Sequence, residues 1–401
     1  MGVLCEAVGT QNGNSVIKSW VAHLTAAALM HNTYGGLSSM SHTRQFRTKS
    51  TLATFLRAIT VASILSVACA PTLNAQTSAT GRYHVVHGWP VLPEGRVLGA
   101  VAGIGVDSHD NVFVFHRNER TWPASNELAT TPIALPTVTV FDGRTGRVLA
   151  EWGENRFAMP HGLTVDRNDN VWLTDVALQQ VYKFSHDGQL LLTLGERGVA
   201  GNDAAHFNRP TDVAVATDGS FFVSDGYRNT RVMKFSPTGA FLFQWGTKGS
   251  GPGEFDLPHG IALDHTGHIY VADRSNMRIQ IFDGSGHYIG EWKGRDIGRP
   301  YDLRFASNDT AFVADGGDQP DTPPDRSGVA VVRPDGSVIE RFSRWGNYDG
   351  QFEMAHAVAV ASDGSVYVAD ITGGRVQKFV RDGQQRPRRG PNNAMHRTPR
   401  T

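Results

Sequence analysis

Between residues 100 and 380 the chain repeats one short pattern, and that repeat limits the fold more than any other feature. Pro160-His-Gly-Leu-Thr-Val-Asp166 aligns with Pro210-Thr-Asp-Val-Ala-Val215, Pro258-His-Gly-Ile-Ala-Leu-Asp264, Pro300-Tyr-Asp-Leu303 and Ala355-His-Ala-Val-Ala-Val360. Each opening runs into a turn such as Asp218-Gly219, Thr266-Gly267 or Asp363-Gly364, then into a second segment ending in Asp175, Asp225, Asp273, Asp315 or Asp370. A third segment follows, as in Gln180-Val-Tyr-Lys-Phe184 or Arg231-Val-Met-Lys-Phe235. A fourth often closes on Trp-Gly, as at Trp152, Trp245 and Trp345. Apolar and polar residues alternate within each segment, and Gly and Asp turns bound it, which is the signature of short strands. A period of roughly 40 to 55 residues with four strands per unit predicts an all-β propeller.

Units begin near Ala100, Pro160, Pro210, Pro258, Pro300 and Ala355, so six blades are expected, each of four antiparallel strands. The last unit stops after three strands, near Val380. Tyr83-His-Val-Val-His-Gly-Trp-Pro-Val91 is placed to supply its outer strand and close the ring, which removes exposed sheet edges.

Composition agrees with many strands and tight turns: 44 of 401 residues are Gly. Lys+Arg and Asp+Glu are balanced at 38 each, so no global field draws the chain to nucleic acid or to an anionic membrane. The expected order is an upstream extension over 1–39, a signal peptide over 40–76, the propeller over 80–380 and a basic, disordered tail over 381–401. The signal peptide rests on Arg44, Arg47, Lys49 and Arg57, followed by an apolar run over 58–70 and small Ala75. That run is too short for a comfortable membrane span, so the expectation is a secreted or periplasmic protein, with lipidation of Cys69 as the alternative. Cys5 and Cys69 are the two cysteines, and both precede the propeller, which excludes a disulfide or thiol catalyst within it. A monomer is expected.

In a propeller the first strand of each blade lines the central channel, so equivalent repeat positions are equivalent around the axis. The second position of the opening is His161, His259 and His356 in the second, fourth and sixth blades. In the others it is about Ala102, Thr211 and Tyr301. Alternate blades of six form a triangle, so three imidazoles converge on one axial point. Neutral imidazoles suit zinc, and three of them leave a position open. Any one of them alone reads better as a satisfied polar residue in a wet channel. His116, His186, His206, His265, His268 and His287 lack the phase and stay unassigned.

The Asp closing each second strand recurs in nearly every blade, so it is read as serving the architecture, by capping the following turn, and not the chemistry. The Trp-Gly pairs read as packing between blades. Departures from the repeat say more. Val114-Phe-His-Arg-Asn118, Ser224-Asp-Gly-Tyr-Arg-Asn229 and Ala272-Asp-Arg-Ser-Asn276 put Arg117, Tyr227 and Arg274 at one rim of the channel. Two guanidinium groups and a phenol above a metal make a site for an anionic substrate, because Arg binds carboxylates through paired hydrogen bonds and a phenol beside cations can act as a base.

At Phe115-His-Arg117, Pro160-His-Gly-Leu163, Thr174-Asp-Val-Ala-Leu178, Pro210-Thr-Asp-Val-Ala-Val215, Val223-Ser-Asp-Gly-Tyr227 and Ala272-Asp-Arg274 the chain resembles the peptidyl-α-hydroxyglycine α-amidating lyase family, also called peptidylamidoglycolate lyases. The resemblance runs from roughly Gly103 to Phe379; generic NHL repeats share the periodicity without these Arg, Tyr and His insertions. It implies zinc on His161, His259 and His356. It implies Tyr227, Arg117 and Arg274 as catalytic or substrate-binding residues and Met354 near the substrate. The implied reaction breaks the N–Cα bond of a C-terminal α-hydroxyglycine, giving an amide and glyoxylate. The family also has a structural calcium, held partly by backbone carbonyls that map to Ile104 and Leu163. Here Ala357 stands in place of the expected carboxylate, which should weaken calcium binding severely. Arg228 stands where animal members have a cysteine. With no mono-oxygenase segment in this sequence, the expected substrate is a peptidyl- or N-acyl-α-hydroxyglycine or a small carbinolamide rather than a neuropeptide-like chain.

Two other readings compete. A non-enzymatic NHL propeller would bind a protein or glycan at its rim, a choice that fold alone does not make. Against it, a binding module has no use for the triple histidine together with Arg117 and Tyr227. A calcium-dependent hydrolase of lactones or esters would need carboxylates and Asn on the axis, and ranks last.

Overall fold

The computed structural model describes residues 83–317 and 326–383. The expected upstream extension and signal peptide, both cysteines and nearly all of the basic tail lie outside the described residues. The described residues form six four-stranded antiparallel sheets and one short parallel strand pair, Thr247–Lys248 with Glu254–Phe255. They include one 3₁₀ turn, Arg274–Asn276, and no helix long and apolar enough to cross a membrane.

The first strands of the six blades are Val101–Val106, Pro160–Val165, Pro210–Val215, Pro258–Leu263, Pro300–Phe305 and Ala355–Val360. Each blade then meanders outward in chain order. In blade 2 the order is Pro160–Val165, Val171–Asp175, Gln180–Phe184 and Leu190–Leu194. Burial follows this order. The second strand, Val171–Asp175, is buried at every residue, whereas the outer strand, Leu190–Leu194, is largely exposed. Blade 6 is completed by Tyr83–Val85, which pairs antiparallel with Arg375–Arg381 in the register Tyr83↔Arg381 and Val85↔Phe379. The outer strand thus comes from the start of the described chain and closes the ring, as the missing fourth strand predicts.

One apolar cluster fills each of the six gaps between neighbouring blades. Between blades 1 and 2, Phe113, Phe115 and Val140 meet Leu163, Leu173 and Phe184. A blade alone would leave both faces wet, so burial is achieved only by stacking around the axis. Trp152 and Trp245 pack across such gaps, on Phe184 at 5.1 Å and on Phe282 at 5.6 Å. Trp345 corrects the expectation. The outer strand of blade 5 ends at Phe342, and Phe342 fills that gap by stacking on Tyr83 at 4.8 Å. Trp345 lies past the strand end and is 48% exposed.

The repeated Asp residues tie the blade interior to the segment that enters the channel. Asp175 Oδ2 accepts the amides of Ala158 and Met159, just ahead of His161, and Oδ1 accepts those of Ala177 and Leu178. Asp370 accepts Met354 N–H at 2.9 Å, two residues before His356. Four amide donors on one buried carboxylate satisfy it and fix the entry to the axial strand.

Candidate functional site

Each first strand carries a register shift near its start. In blades 1, 3, 5 and 6 it falls between Val101 and Gly103, Pro210 and Asp212, Pro300 and Asp302, and Ala355 and Ala357. In blades 2 and 4 it spans Pro160 to Leu163 and Pro258 to Ile261. The second position therefore sits in a bulge in all six blades, unpaired with its neighbour strand. A bulge of this kind re-aims a side chain, here toward the axis. His161, His259 and His356 occupy that position in alternate blades. Their ring centroids lie 4.8 to 4.9 Å apart, and one ligand nitrogen from each lies within 4.8 Å of the others. The three rings thus meet as the repeat phase predicts and form a group able to hold a metal ion.

Their protonation follows from their partners. His161 Nδ1–H donates to the Thr211 carbonyl at 2.8 Å, His259 Nδ1–H to Tyr301 at 2.7 Å and His356 Nδ1–H to Ala102 at 2.7 Å. Each acceptor is the second-position residue of the next blade. A carbonyl only accepts, so the proton is on Nδ1 and the Nε2 lone pair is left for a ligand. Burial, helped by Arg117, pushes the His161 imidazole down to about 3. Burial and the neighbouring imidazoles hold His259 well below the ordinary histidine range, and burial with His161 and Arg117 does the same for His356. All three are therefore neutral at physiological pH, the form a metal requires. By donor type, tautomer and spacing, these residues fit the metal that the resemblance implies.

Tyr227 lies over the triad. Its Oη is 3.0 Å from His161 Nε2 and 3.2 Å from His259 Nε2. Gly226 makes this possible, because a Cβ there would come within 1.7 Å of the Pro258 carbonyl oxygen. Blade 3 can thus pass against blade 4 and deliver the phenol to the axis. Arg117 is buried, and its Nε–H donates to the Pro160 carbonyl at 2.8 Å, next to His161. Its buried Nη2 has no hydrogen-bond partner among the described residues. Burial brings its guanidinium down to about 10, against the opposing pull of Tyr227 and Asp175. Arg274, half-buried, stacks over the Tyr301 ring at 3.9 Å and depresses all three imidazoles. Arg117, Tyr227 and Arg274 thus gather around the triad. Met354 is half-buried just upstream of His356, and its amide is held by Asp370.

Three features were missed by the sequence reading. Residues 117–137 separate the second and third strands of blade 1, where blade 2 has only residues 176–179. Trp122 from this insertion lies 5.0 Å from the Tyr227 ring, with the Arg117 and Arg209 guanidinium groups 5.6 and 5.7 Å from its own ring. Arg209 also donates to the Asn126 side chain and carbonyl, holding the insertion down. The length of that gap was the available signal. Second, Asp212 and Asp302 place carboxylates on the axis, which the imidazole-only reading of the channel did not include. Third, Arg304 lies between them, donating to Asp212 Oδ2 at 3.0 Å and to Asp302 Oδ1 at 2.5 Å.

Ile104 and Leu163, whose carbonyls the resemblance assigns to calcium, lie on the first strands of blades 1 and 2. Ala357 offers a methyl group, and the Arg304 guanidinium lies 3.4 Å from the Leu163 carbonyl oxygen. A resident cation there opposes a second one.

The NHL repeat family matches residues 255–282, the entry to blade 4 and its first three strands. The chain is 35% identical over 318 residues to peptidyl-glycine alpha-amidating monooxygenase B of Xenopus laevis, covering 75% of this chain and 35% of that protein. It is 36% identical over 331 residues to the peptidylglycine alpha-amidating monooxygenase of Rattus norvegicus, covering 75% and 32%. The chain therefore spans about a third of the length of these two relatives. It is 34% identical over 321 residues to peptidyl-alpha-hydroxyglycine alpha-amidating lyase 2 of Drosophila melanogaster, covering 74% of this chain and 75% of that one. With three quarters of both chains matched in that last comparison, and the three axial histidines where the repeat puts them, the chain belongs to the peptidyl-α-hydroxyglycine α-amidating lyase family.

Proposed function

We propose that this protein is a zinc-dependent carbon–nitrogen lyase that converts a peptidyl- or N-acyl-α-hydroxyglycine to the corresponding amide and glyoxylate. The observation that carries the reading is the meeting of three neutral imidazole nitrogens with the Tyr227 hydroxyl, at 3.0 and 3.2 Å from two of them. Family membership supports the reaction class. The apolar stretch after the basic residues near Arg57 supports an exported protein as part of the same proposal.

His161, His259 and His356 would hold the ion. Zinc held there would supply a Lewis acid to the substrate. The remaining work falls to the chain. Arg117 presents a buried, unsatisfied Nη2–H, and such a donor is best satisfied by an anion. The Arg117 and Arg274 guanidinium groups therefore bind the substrate carboxylate and orient the hydroxyl toward Tyr227. Tyr227 Oη accepts the hydroxyl proton as the N–Cα bond breaks, and the O–H electron pair becomes the new C=O bond of glyoxylate. The electrons of the broken bond stay on nitrogen, which receives a proton through Tyr227 and leaves as a neutral amide. No water is consumed. Trp122 packs its ring 5.0 Å from that of Tyr227 and limits the swing of the phenol.

The test is glyoxylate release from a panel of N-acyl-α-hydroxyglycines. Release is expected from the wild type. In Tyr227→Phe and Arg117→Ala it should fall by about 10² to 10⁴-fold, the usual worth of a positioned proton-transfer group or charge stabiliser. No release from any substrate of the panel by the zinc-loaded protein overturns the reading.

A further inference from the structure

The fifth position of the first strand is Gly105, Thr164, Ala214, Ala262, Arg304 and Ala359 around the ring. Five of these side chains are small, and one is an arginine. It lies three residues down the strand from the histidine position, about 10 Å deeper along the channel at 3.3 Å per residue. Its guanidinium reaches three other blades. Nη2 donates to both oxygens of Asp212, at 3.0 and 3.3 Å, and to Thr164 Oγ1 at 3.1 Å. Nη1 donates to Asp302 at 2.5 Å and to the Leu303 carbonyl at 2.8 Å. The carbonyl oxygens of Leu163 and Ile261 each lie 3.4 Å away.

The surroundings are built for a cation. Asp212 and Asp302 share the third position of the opening in blades 3 and 5, and both are buried. Besides Arg304 they accept from the amides of Ile261, Val358 and Leu303, and the Thr164 hydroxyl lies 3.4 Å from Asp212 Oδ1. Room for Asp302 comes from Gly260 of the preceding blade, where a Cβ would stand 2.8 Å from its carboxylate oxygen. Two carboxylates, a hydroxyl and backbone carbonyls are the oxygen donors that a hard divalent cation takes. They also match the planar donor fork of a guanidinium, which is always charged.

We infer that Arg304 is the resident cation of a second, oxygen-lined axial site, replacing a divalent ion and closing the lower channel without one. The capacity for calcium is latent in the donor set and is blocked by the guanidinium. This inference rests on the axial geometry and is independent of the reaction proposed above.

The test is thermal unfolding of the zinc-loaded protein with and without about 5 mM calcium chloride, well above the dissociation constants of calcium sites in extracellular modules. Wild-type Tm should shift by less than about 1 °C. Arg304→Ala, which installs the residue found at this position in three other blades, should unfold several degrees lower in calcium-free buffer and recover with calcium. Calorimetric titration should then show about one calcium per chain, with no comparable response to magnesium, which demands a tighter octahedral site. Should Arg304→Ala fold only when calcium is present, that also supports the inference. Arg304→Gln, neutral and still filling the space, should gain calcium binding, whereas Arg304→Lys should not. A calcium-stabilised wild type, or alanine and glutamine variants that fold and bind no calcium, overturns it. Zinc content and glyoxylate release do not enter either outcome.

Discussion

The channel carries two rings of polar side chains, and they solve the problem of burial in opposite ways. The upper ring takes His161, His259 and His356 from the even blades and keeps them neutral, each Nδ1 tied to the next blade and each Nε2 facing the axis. The lower ring takes Asp212 and Asp302 from odd blades, where two buried carboxylates would repel each other, and sets Arg304 between them. One ring leaves a cation site open; the other has its cation covalently attached. The lesson is that one repeated strand can supply either chemistry or closure, depending on whether a neighbouring position contributes the counter-charge.

That contrast can be broken at either ring. Removing a histidine should act on turnover. His259→Ala is expected to cut glyoxylate release at least about 10³-fold, through loss of the ion, while circular dichroism still reports the folded propeller. Turnover near wild type in that variant would detach the upper ring from the chemistry. Removing an aspartate should act on stability. Asp212→Ala strips one partner from Arg304 and is expected to cost about 3 to 5 kcal/mol in denaturant unfolding, the usual penalty for breaking a buried pair. Activity per folded molecule should change little. A loss below about 1 kcal/mol would mean that solvent reaches the lower ring and screens the pair.

The upper ring should also respond to acid, by a smaller amount per pH unit. His161 has its folded pKa depressed to about 3 by burial, from an ordinary value of 6.5. The unfolded chain therefore takes up a proton below pH 6.5 that the metal-free folded protein refuses. Stability is fully present above about pH 6.5 and is lost as pH falls toward 3, at no more than about 1.4 kcal/mol per pH unit for each such group. His116, also buried and depressed to about 3, adds to the same slope. His116→Gln should flatten the dependence of Tm on pH between 6.5 and 4.5 by about one proton's worth. An unchanged slope would show that His116 titrates normally.

The propeller and the triad were legible in the sequence for one reason: both are written in positions that recur. Six copies of one opening set the blade count, and phase alone brought together histidines separated by about a hundred residues. The insertion over residues 117–137 is not part of the repeated pattern, so Trp122 and its contact with Tyr227 were invisible to a comparison of repeats. Trp345 misled for the opposite reason: it keeps the Trp-Gly pattern of Trp152 and Trp245, while Phe342 already fills the gap between blades 5 and 6. Arg304 could have been found by the reasoning that found the histidines, applied three residues further along the strand. It is the one charged residue at a position otherwise held by Gly, Thr or Ala.

The proposed chemistry requires three imidazoles to share one ion. Elemental analysis with zinc X-ray absorption of the purified protein tests this most directly. The prediction is about one zinc per chain with three nitrogen neighbours at about 2.0 to 2.1 Å, and none in His259→Ala. A wild-type protein that folds normally and takes up no metal when dialysed against zinc would contradict it.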